Sequence, residues 1–286
     1  MEHAVTAEAP RVAGVRISHP ERVLDPTGVT KLALARYYEG IAPWMLPHVV
    51  GRPLTLVRWA EGAQTEKGGV YLRHARAWGP RALTRVSIRE KTKVGEYLVV
   101  ESLEALVSLA QMDILEIHTW NATIDDLEHP DRVVFDLDPG PGVGWDAIAN
   151  AARHVRRALE DEGLESSVKT TGGKGLHVIA PLARDRGWDE CLAFSRDVVR
   201  RIVREDPARY VLTMSKAARP GRIFIDYLRN ARANTSVAAY STRARPNAPV
   251  SMPIAWDEID DVDPAAFTMD AVRKKTWARK SKRSRR

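Results

Sequence analysis

The sequence predicts a mixed α+β fold in one contiguous unit. Short apolar runs that alternate like β-strands are interleaved with longer stretches whose apolar residues recur at helical spacing. These segments lack the regular strand–helix–strand spacing of a doubly wound parallel sheet. No convincing linker divides the 286 residues, a length sufficient for one large domain. We expect a single domain over 13–270, preceded by a disordered stretch 1–12 and followed by a basic tail 271–286.

The region 15–120 is expected to form an N-terminal subdomain of strands and two helices. Thr30 is placed to cap the first helix, and a polar, glycine-containing loop at 62–69 separates two of the strands. The predicted strands are 15–18, 52–59, 70–72 and 113–120, and the predicted helices are 31–41 and 103–112.

The region of about 130–250 is expected to form the catalytic half. An amphipathic stretch closed by Gly163 predicts its first helix, and glycines at 172–175 interrupt a strand pair. The predicted strands are 132–138, 166–171, 176–181 and 223–228, and the predicted helices are 145–162 and 189–205.

Two carboxylates end the first of these strands. Because side chains alternate along a strand, Asp136 and Asp138 project from one face while Leu137 points to the other. Carboxylates held this close repel each other unless a cation lies between them or one is protonated. Mg²⁺ or Mn²⁺ with oxygen ligands meets this need. The alternative is an ordinary polar strand end before the Pro139-Gly140 turn.

The glycine-rich segment Thr171–Val178 offers hydrogen-bond donors suited to phosphate oxygens. Its glycines allow a tight turn and close approach of the backbone to a ligand, and Thr171, Lys174 and His177 add polar groups. The spacing of a P-loop is absent. The alternative is a plain hairpin turn followed by a packed or surface histidine.

Asp226 lies inside the apolar strand Ile-Phe-Ile-Asp-Tyr, where a carboxylate is costly unless it faces a polar cleft or a metal. With Asp136 and Asp138 it completes a set of three carboxylates able to hold two metal ions. The alternative is an edge-strand carboxylate paired with Arg229 or Arg222.

The motifs DLDPG, TGGKGLHV and IFIDYLRN occur in this order. They resemble the three motifs of the archaeo-eukaryotic primase superfamily and, more narrowly, the polymerase domain of bacterial ATP-dependent DNA ligase D. The resemblance extends from HPERVLDPTGVTK to YSTRARPNAPVSMPIAWDEI. It implies a primase-polymerase core of mixed or antiparallel sheets flanked by helices and interwoven with an N-terminal subdomain.

The resemblance also implies roles for individual residues. The implied metal ligands and catalytic residues are Asp136, Asp138 and Asp226, with Mn²⁺ or Mg²⁺ in a two-metal site and NTPs or dNTPs as substrates. The implied nucleotide-binding residues are His118, Thr171, Lys174, His177, Arg229 and Arg243. For His118 the alternative is a structural strand histidine.

Further residues match positions that contact DNA in the family. Arg22 and Lys31 match basic residues that grip a 5′-phosphate, with Arg22 standing where Lys is usual. Tyr71 matches one of two adjacent aromatic residues that stack on the template, whereas Val70 replaces the other and removes a stacking surface. Lys216 and Arg219 are candidates for contacts to DNA ends; the alternative is that they are solvated loop residues.

Composition points to a polyanionic partner. The formal charge is +7, and Lys and Arg cluster at 273–275 and 279–286. Cys191 is the single cysteine, which excludes an intrachain disulfide and a Cys-based zinc site. No apolar run has the length of a membrane span and no signal peptide is evident, so a cytoplasmic, nucleoid-associated protein is expected.

The leading hypothesis is a metal-dependent polymerase that adds nucleotides, preferring ribonucleotides, to primer 3′ ends in gap filling and non-homologous end joining. Its expected partners are gapped or broken double-stranded DNA with a 5′-phosphate, a separate ATP-dependent DNA ligase and the end-binding protein Ku. The sequence lacks a Lys-x-Asp-Gly nucleotidyl-lysine motif, so a stand-alone chain is expected. Alternatives are a primase that starts strands de novo, a DNA-end-binding scaffold with weak polymerase activity, and a metal-dependent nuclease.

Overall fold

The structure, a computed structural model, describes residues 8–58, 69–77 and 79–283, with residues 277–283 described by their backbone alone. Helices and mostly antiparallel sheets are intermixed along the chain, which confirms the predicted α+β class. The helices are α1 (Lys31–Val49), α2 (Leu103–Gln111), α3 (Trp145–Glu160), α4 (Trp188–Glu205) and α5 (Met269–Arg283). The strands are β1 (Arg11–Val12), β2 (Val15–Arg16), β3 (Leu54–Arg58), β4 (Val70–Leu72), β5 (Thr84–Arg89), β6 (Val94–Val99), β7 (Ile114–Thr119), β8 (Arg132–Pro139), β9 (Ser167–Thr170), β10 (Leu176–Pro181), β11 (Tyr210–Val211), β12 (Ile223–Asp226), β13 (Ser236–Val237) and β14 (Pro253–Ile254).

A six-stranded sheet in the order β11-β12-β8-β10-β9-β14 forms the centre of the half predicted to be catalytic. All neighbouring strands are antiparallel except the pair β11 and β12. Helices α3 and α4 pack on the face to which Val133, Phe135 and Leu137 of β8 contribute buried side chains. Because side chains alternate, the opposite face carries Asp136 and Asp138. One side of β8 is therefore core and the other faces a cleft.

A four-stranded antiparallel sheet, in the order β13-β7-β3-β4, forms the opposite side of this cleft. Helices α1 and α2 pack against each other, and α2 packs on β7. Strand β13 comes from the C-terminal half of the chain and pairs with β7, where Val237 lies opposite His118. The two halves are thus interwoven, as the family resemblance implied.

Two helices differ from their predicted extent. Helix α1 continues from the predicted end at residue 41 to Val49, through Pro43 and Pro47. Proline is unfavourable inside a helix, but the last turns bury Met45 and Val49, so tertiary packing outweighs the local cost. Strands β5 and β6, which form a separate hairpin, were not predicted.

The ends of the fold also differ from the predicted boundaries. Strands β1 and β2 pair with each other, so ordered structure begins before residue 13. Residues 269–283 form helix α5, which packs against α1 and buries Val272 and Thr276. The stretch predicted as a basic tail from 271 therefore begins as part of a helix that packs on the core. Within the described ranges, no helix is long and apolar enough to cross a bilayer.

The side chain of Asn230 continues the sheet where β12 ends. Asn230 is 1 % exposed, and its amide accepts from the Val134 N–H at 2.8 Å and donates to the Val134 carbonyl at 2.9 Å. It also accepts from the Asn121 amide at 3.0 Å. The Asn230 side chain thus makes the hydrogen bonds to β8 that the backbone of a further strand residue would make. It links the segment after Asp226 to β8.

Replacing Asn230 with alanine should lower the free energy of unfolding by about 2–4 kcal/mol, because two backbone groups of Val134 lose their partner in a buried position. Urea denaturation of N230A measures this loss. The matched control is N150A on the exposed surface of α3, expected to change the free energy by less than about 0.5 kcal/mol. Equal stability of both variants would contradict the role of Asn230.

Candidate active site

The largest concentration of predicted site residues lines a cleft of about 530 Å³ between the two sheets. All three sequence motifs contribute to it, together with side chains from β3, β4 and β7 on the opposite sheet. The predicted residues that line it are Tyr71, His118, Asp136, Asp138, Thr171, Lys174, His177, Arg229 and Arg243.

Strand register brings the carboxylates together. Asp136 on the central strand β8 lies directly opposite Asp226 on one side and His177 on the other. Residues directly opposite in antiparallel strands project from the same face, so these three side chains form a row across the sheet. Asp138 follows two residues after Asp136 on the same face. Asp136 and Asp226 are buried, whereas the side chain of Asp138 is 43 % exposed.

Basic groups surround the carboxylates. The Arg229 Nε lies 3.2 Å from Oδ2 of both Asp136 and Asp226, so the pairing considered as an alternative for Asp226 is present. His177 Nε2 lies 3.3 Å from Asp136 Oδ1, and Arg219 lies 3.5 Å from Asp138 Oδ2. These contacts neutralise carboxylates that otherwise repel one another.

The three carboxylates titrate differently. Burial and, after it, the charge of Asp136 raise the pKa of Asp138 to about 6. Burial also raises the pKa of Asp226. Burial disfavours the charged form of Asp136 as well, but His177 and Arg229 outweigh it and lower the pKa of Asp136. Asp138 and Asp226 therefore lack full charge compensation, which a bound cation would supply.

The donors fit a hard divalent cation, but the predicted metal site is not preformed. Within the described part of the chain, no group of three or more His, Cys, Asp or Glu is arranged to hold a metal ion. The Arg229 guanidinium instead pairs with an oxygen of each of Asp136 and Asp226. The residue types and their common face match oxygen ligation by Mg²⁺ or Mn²⁺ once Arg229 moves away.

The glycine-rich turn closes one side of the cleft. Gly172 has φ +67°, and a Cβ there would lie 2.6 Å from the Arg243 side chain. A Cβ at Gly175 would lie 2.4 Å from the Leu137 carbonyl oxygen, so the turn can sit against β8 only without side chains. The backbone N–H of Thr171 donates to the Gly175 carbonyl at 3.1 Å, and Lys174 is exposed into the cleft.

Glu116 connects the two sheets and was missed by the sequence reasoning. Its Oε2 lies 2.7 Å from His118 Nε2 and 3.1 Å from Arg243 Nε, and its Oε1 accepts from the Ala244 N–H at 2.8 Å. Arg243 in turn donates to the Thr171 carbonyl at 2.6 Å. The signal was present, because alternation along β7 puts residues 116 and 118 on one face.

Charges around Glu116 shift two pKa values. Although burial opposes ionisation of Glu116, hydrogen bonding to His118 and the charge of Arg243 lower its pKa to about 2. Burial lowers the pKa of His118, and the Glu116 carboxylate partly offsets this effect. Glu116 is thus a charged anchor that orients His118 and Arg243 toward the cleft.

Arg22 and Lys31 lie together but away from the cleft. Lys31 Nζ is 2.9 Å from Asp113 Oδ1, and Arg22 is 3.2 Å from Asp113 Oδ2. Arg58 also reaches Asp113 Oδ2, at 3.3 Å. Lys31 is 2 % exposed, whereas the Arg22 side chain is 24 % exposed. The sequence reasoning missed Asp113, which holds this basic group in place.

The remaining predicted residues are divided between the cleft and the surface. Tyr71 is 67 % exposed beside the cleft, with its ring centroid 6.4 Å from that of His118, and neighbouring Val70 is exposed. Arg219 contacts Asp138 and stacks 4.3 Å over the Phe224 ring, so it is not a solvated loop residue. Lys216 is exposed and lies outside the cleft lining.

A comparison with known protein families identifies the family of the chain. A model of the family described as LigD, primase-polymerase domain, matches residues 30–282. The chain belongs to this family. The resemblance predicted from DLDPG, TGGKGLHV and IFIDYLRN is therefore confirmed, and the cleft lies in the matched region of a LigD-type domain.

Curated relatives of this LigD-type domain are longer proteins. The chain is 39 % identical over 254 residues to the multifunctional non-homologous end joining protein LigD of Pseudomonas aeruginosa, covering 88 % of the chain and 30 % of that protein. It is 36 % identical over 265 residues to the LigD protein of Mycolicibacterium smegmatis, covering 92 % of the chain and 34 % of that protein. The chain spans about a third of the length of these relatives.

A solved structure resembles the LigD-type domain over most of its length. This is the polymerase domain from Mycobacterium tuberculosis ligase D in complex with DNA. It has a TM-score of 0.84 and 33 % sequence identity, and the match covers 91 % of this chain and 93 % of that one. Fold and family thus agree.

Replacing Glu116 with glutamine should lower the pKa of His118 further. The Glu116 carboxylate favours the protonated imidazole, so its neutralisation leaves the lowering effects of burial and Arg243 unopposed. An NMR titration of the histidine ring signals measures the shift. E160Q, on the exposed surface of α3, should leave His118 unchanged. An unchanged or raised pKa in E116Q would contradict the coupling.

Proposed function

We propose that this LigD-type domain is a template-directed, metal-dependent nucleotidyltransferase that extends primer 3′ ends in gap filling and non-homologous end joining, with a preference for ribonucleotides. The observation that carries the proposal is the common sheet face of the three carboxylates: Asp226 lies directly opposite Asp136, Asp138 follows on the same strand face as Asp136, and Asp136 and Asp138 line the cleft. Family membership and the DNA-bound structural relative support the same activity.

Asp136, Asp138 and Asp226 are the proposed ligands of two Mg²⁺ or Mn²⁺ ions. When bound, such ions lower the pKa of an attacking hydroxyl and neutralise charge that develops on transferred phosphate. The domain contributes carboxylates held in fixed positions by β8 and β12. Arg229, which neutralises Asp136 and Asp226 here, is proposed to turn toward the nucleotide phosphates and so exchange one anionic partner for another.

The glycine-rich turn is the proposed phosphate cradle for the incoming NTP or dNTP. Thr171, Lys174 and His177 line the cleft beside the carboxylates, and Arg243 is held against the turn by its bond to the Thr171 carbonyl. Together they supply cationic and hydroxyl donors for oxyanions. His118 is proposed to contact the nucleotide from the opposite sheet, in the orientation set by Glu116. Binding across both sheets places the reacting groups before any chemistry occurs.

The DNA-contacting residues are proposed to surround the cleft. Arg22 and Lys31 bind a 5′-phosphate across a gap, Tyr71 stacks on the template, and Lys216 and Arg219 contact DNA ends. An exposed, aromatic Tyr71 beside the cleft suits stacking. We further propose that an ATP-dependent ligase and Ku act with this domain during end joining.

Replacing Asp138 or Asp226 with asparagine should reduce the rate of nucleotide addition at least about a hundredfold, because the cation loses an anionic ligand. Primer extension on a gapped template, with Mn²⁺ or Mg²⁺ and with ribo- or deoxyribonucleotides, measures the rate. Binding to the same DNA should persist in both variants.

The control for this experiment is D257N on the exposed surface, which should extend primers at the parental rate. Parental rates in D138N and D226N would overturn the catalytic assignment. Persisting DNA binding with no extension by the parent protein would favour the scaffold alternative, and product formed without primer would favour the primase alternative.

Replacing Arg22 with alanine should abolish the stimulation of gap filling by a 5′-phosphate. Arg22 is the more exposed of the two predicted phosphate ligands, so its truncation disturbs the core less than truncation of buried Lys31. The measurement is the ratio of extension rates on gaps with and without the 5′-phosphate. In the parent protein we expect a charge-assisted hydrogen bond from Arg22 to keep this ratio above one. In R22A the ratio should fall to about one.

R36A, an exposed arginine on helix α1, is the matched control and should retain the parental ratio. A parental ratio in R22A would remove Arg22 from the 5′-phosphate site. A ratio reduced equally in both variants would show that general positive charge, not this position, supports the preference.

A further inference from the structure

A second cavity, of about 400 Å³, adjoins the active-site cleft at β13. We call it the rear cavity. Ser236 and Val237 of β13 line both spaces, so one short strand separates them. On β8, Arg132 shares a face with Asp136 but lies four residues earlier. On β10, Ile179 shares a face with His177 but lies two residues later. None of the roles proposed above uses this space.

The rear cavity carries more positive than negative charge. Arg52, Arg132 and Lys169 line it, and Asp131 is its single carboxylate. That carboxylate is fully engaged, because Arg52 binds both its oxygens, at 2.8 and 2.6 Å, and Arg184 lies 3.8 Å away. Asp131 therefore pairs with Arg52 and, among the described residues, forms no direct ion pair with Arg132 or Lys169.

Arg132 has neutral partners for its guanidinium. It donates to Thr119 Oγ1 at 2.6 Å, the Trp120 carbonyl at 3.1 Å and Asn121 Oδ1 at 3.2 Å. Across residues 8–58, 69–77 and 79–283 it forms no ion pair. Its surroundings hold the group rigidly in the cavity wall without neutralising it.

Lys169 is similarly placed. It is 3 % exposed, and its Nζ donates to Ser251 Oγ at 2.7 Å. No ion pair of Lys169 occurs in the described ranges. Burial lowers the pKa of Lys169 well below its ordinary value, and the charge of Asp136 opposes this effect; an anionic ligand in the cavity would likewise favour the protonated amine. Arg132 and Lys169 thus place a guanidinium and a buried amine in fixed positions on one cavity.

His48, at the end of α1, reports the same excess charge. It lines the rear cavity, where burial and, after it, the charges of Arg132, Lys169 and Arg52 lower its pKa to about 4. An imidazole flanked by three cations resists protonation. An anion bound near these groups would relieve this effect.

The rest of the rear cavity is apolar. Pro47, Pro181 and Pro253 form rigid walls, and Val168, Ile179 and Val237 fill the surface between them. A space of about 400 Å³ lies in the range of about 300–1,000 Å³ that is typical of small-molecule sites, which combine apolar walls with a few placed polar groups. Rigid basic groups on an apolar pocket suit a ligand with one anionic end and a compact body.

We propose that the rear cavity binds a small organic phosphate of the size of a nucleoside monophosphate, with its phosphate at Arg132 and Lys169 and its body between the proline walls. Arginine presents forked donors that match phosphate oxygens. The inference depends on these contacts and not on the proposed polymerase activity, so either can fail without the other.

Adenosine monophosphate is the probe, and the ring signals of His48 are the readout. Its signals are assigned by their loss in H48Q. Titration of the parent protein should produce a saturable shift of these signals, whereas adenosine, which lacks the phosphate, should not. S167W should block the effect, because exposed Ser167 lines the rear cavity and a large side chain there fills its mouth.

S87W, an exposed strand position on β5 outside the rear cavity, is the matched control and should bind like the parent. K174A, altered in the active-site cleft, should also keep the His48 shift, which separates the two sites. R132Q should weaken binding at least about tenfold, because a charge-assisted hydrogen bond is lost.

Three results would overturn the proposal. His48 signals unmoved by adenosine monophosphate would exclude the site. Equal shifts in S167W and the parent would place the ligand elsewhere, and equal shifts with adenosine would exclude phosphate recognition. Because Ser167 is exposed, S167W tests the cavity even if R132Q fails to fold.

Discussion

The alternation of side chains along β8 is the constraint on which the site depends. Val133, Phe135 and Leu137 are fully buried against helices α3 and α4, and this burial fixes the face that each neighbour must occupy. A slip of one residue would place Asp136 in the apolar core and expose Phe135. Core packing on one side therefore holds the acidic pair toward the cleft on the other.

Charge compensation is the second organising feature. Arg229 bridges Asp136 and Asp226, while Glu116 holds His118 and Arg243 from the opposite sheet. The acidic groups of the six-stranded sheet and Glu116 of the four-stranded sheet are thus neutralised by basic side chains that lie between the two sheets. In the proposed function, these basic side chains exchange carboxylate partners for phosphate oxygens, which are anionic acceptors of the same kind. Pre-placed charges of this kind need little rearrangement of the backbone.

Local patterns predicted what depends on local physics. Alternation located β8 and the common face of Asp136 and Asp138, and helical periodicity located α3 and α4 within a few residues. Patterns did not predict the β5–β6 hairpin or the extension of α1, because tertiary packing decides both. Nor could they show that Arg229 would stand between the carboxylates, or that Asp113 would gather Arg22 and Lys31. The pair of Arg229 with Asp226 is local and was considered from the sequence, but the contacts of Arg229 with Asp136 and of Asp113 with Arg22 and Lys31 join residues far apart in sequence.

Strand β13 has a consequence for how the chain folds. The four-stranded sheet takes three strands from residues before 120 and its edge from Ser236–Val237. During synthesis, β3, β4 and β7 leave the ribosome long before β13. The edge of β7 that pairs with β13 therefore stays unpaired until the C-terminal half has been synthesised. Helix α5, which packs on α1, extends this dependence almost to the chain end. The two halves must therefore fold together as one cooperative unit, and folding is slowed because these contacts join residues distant in sequence.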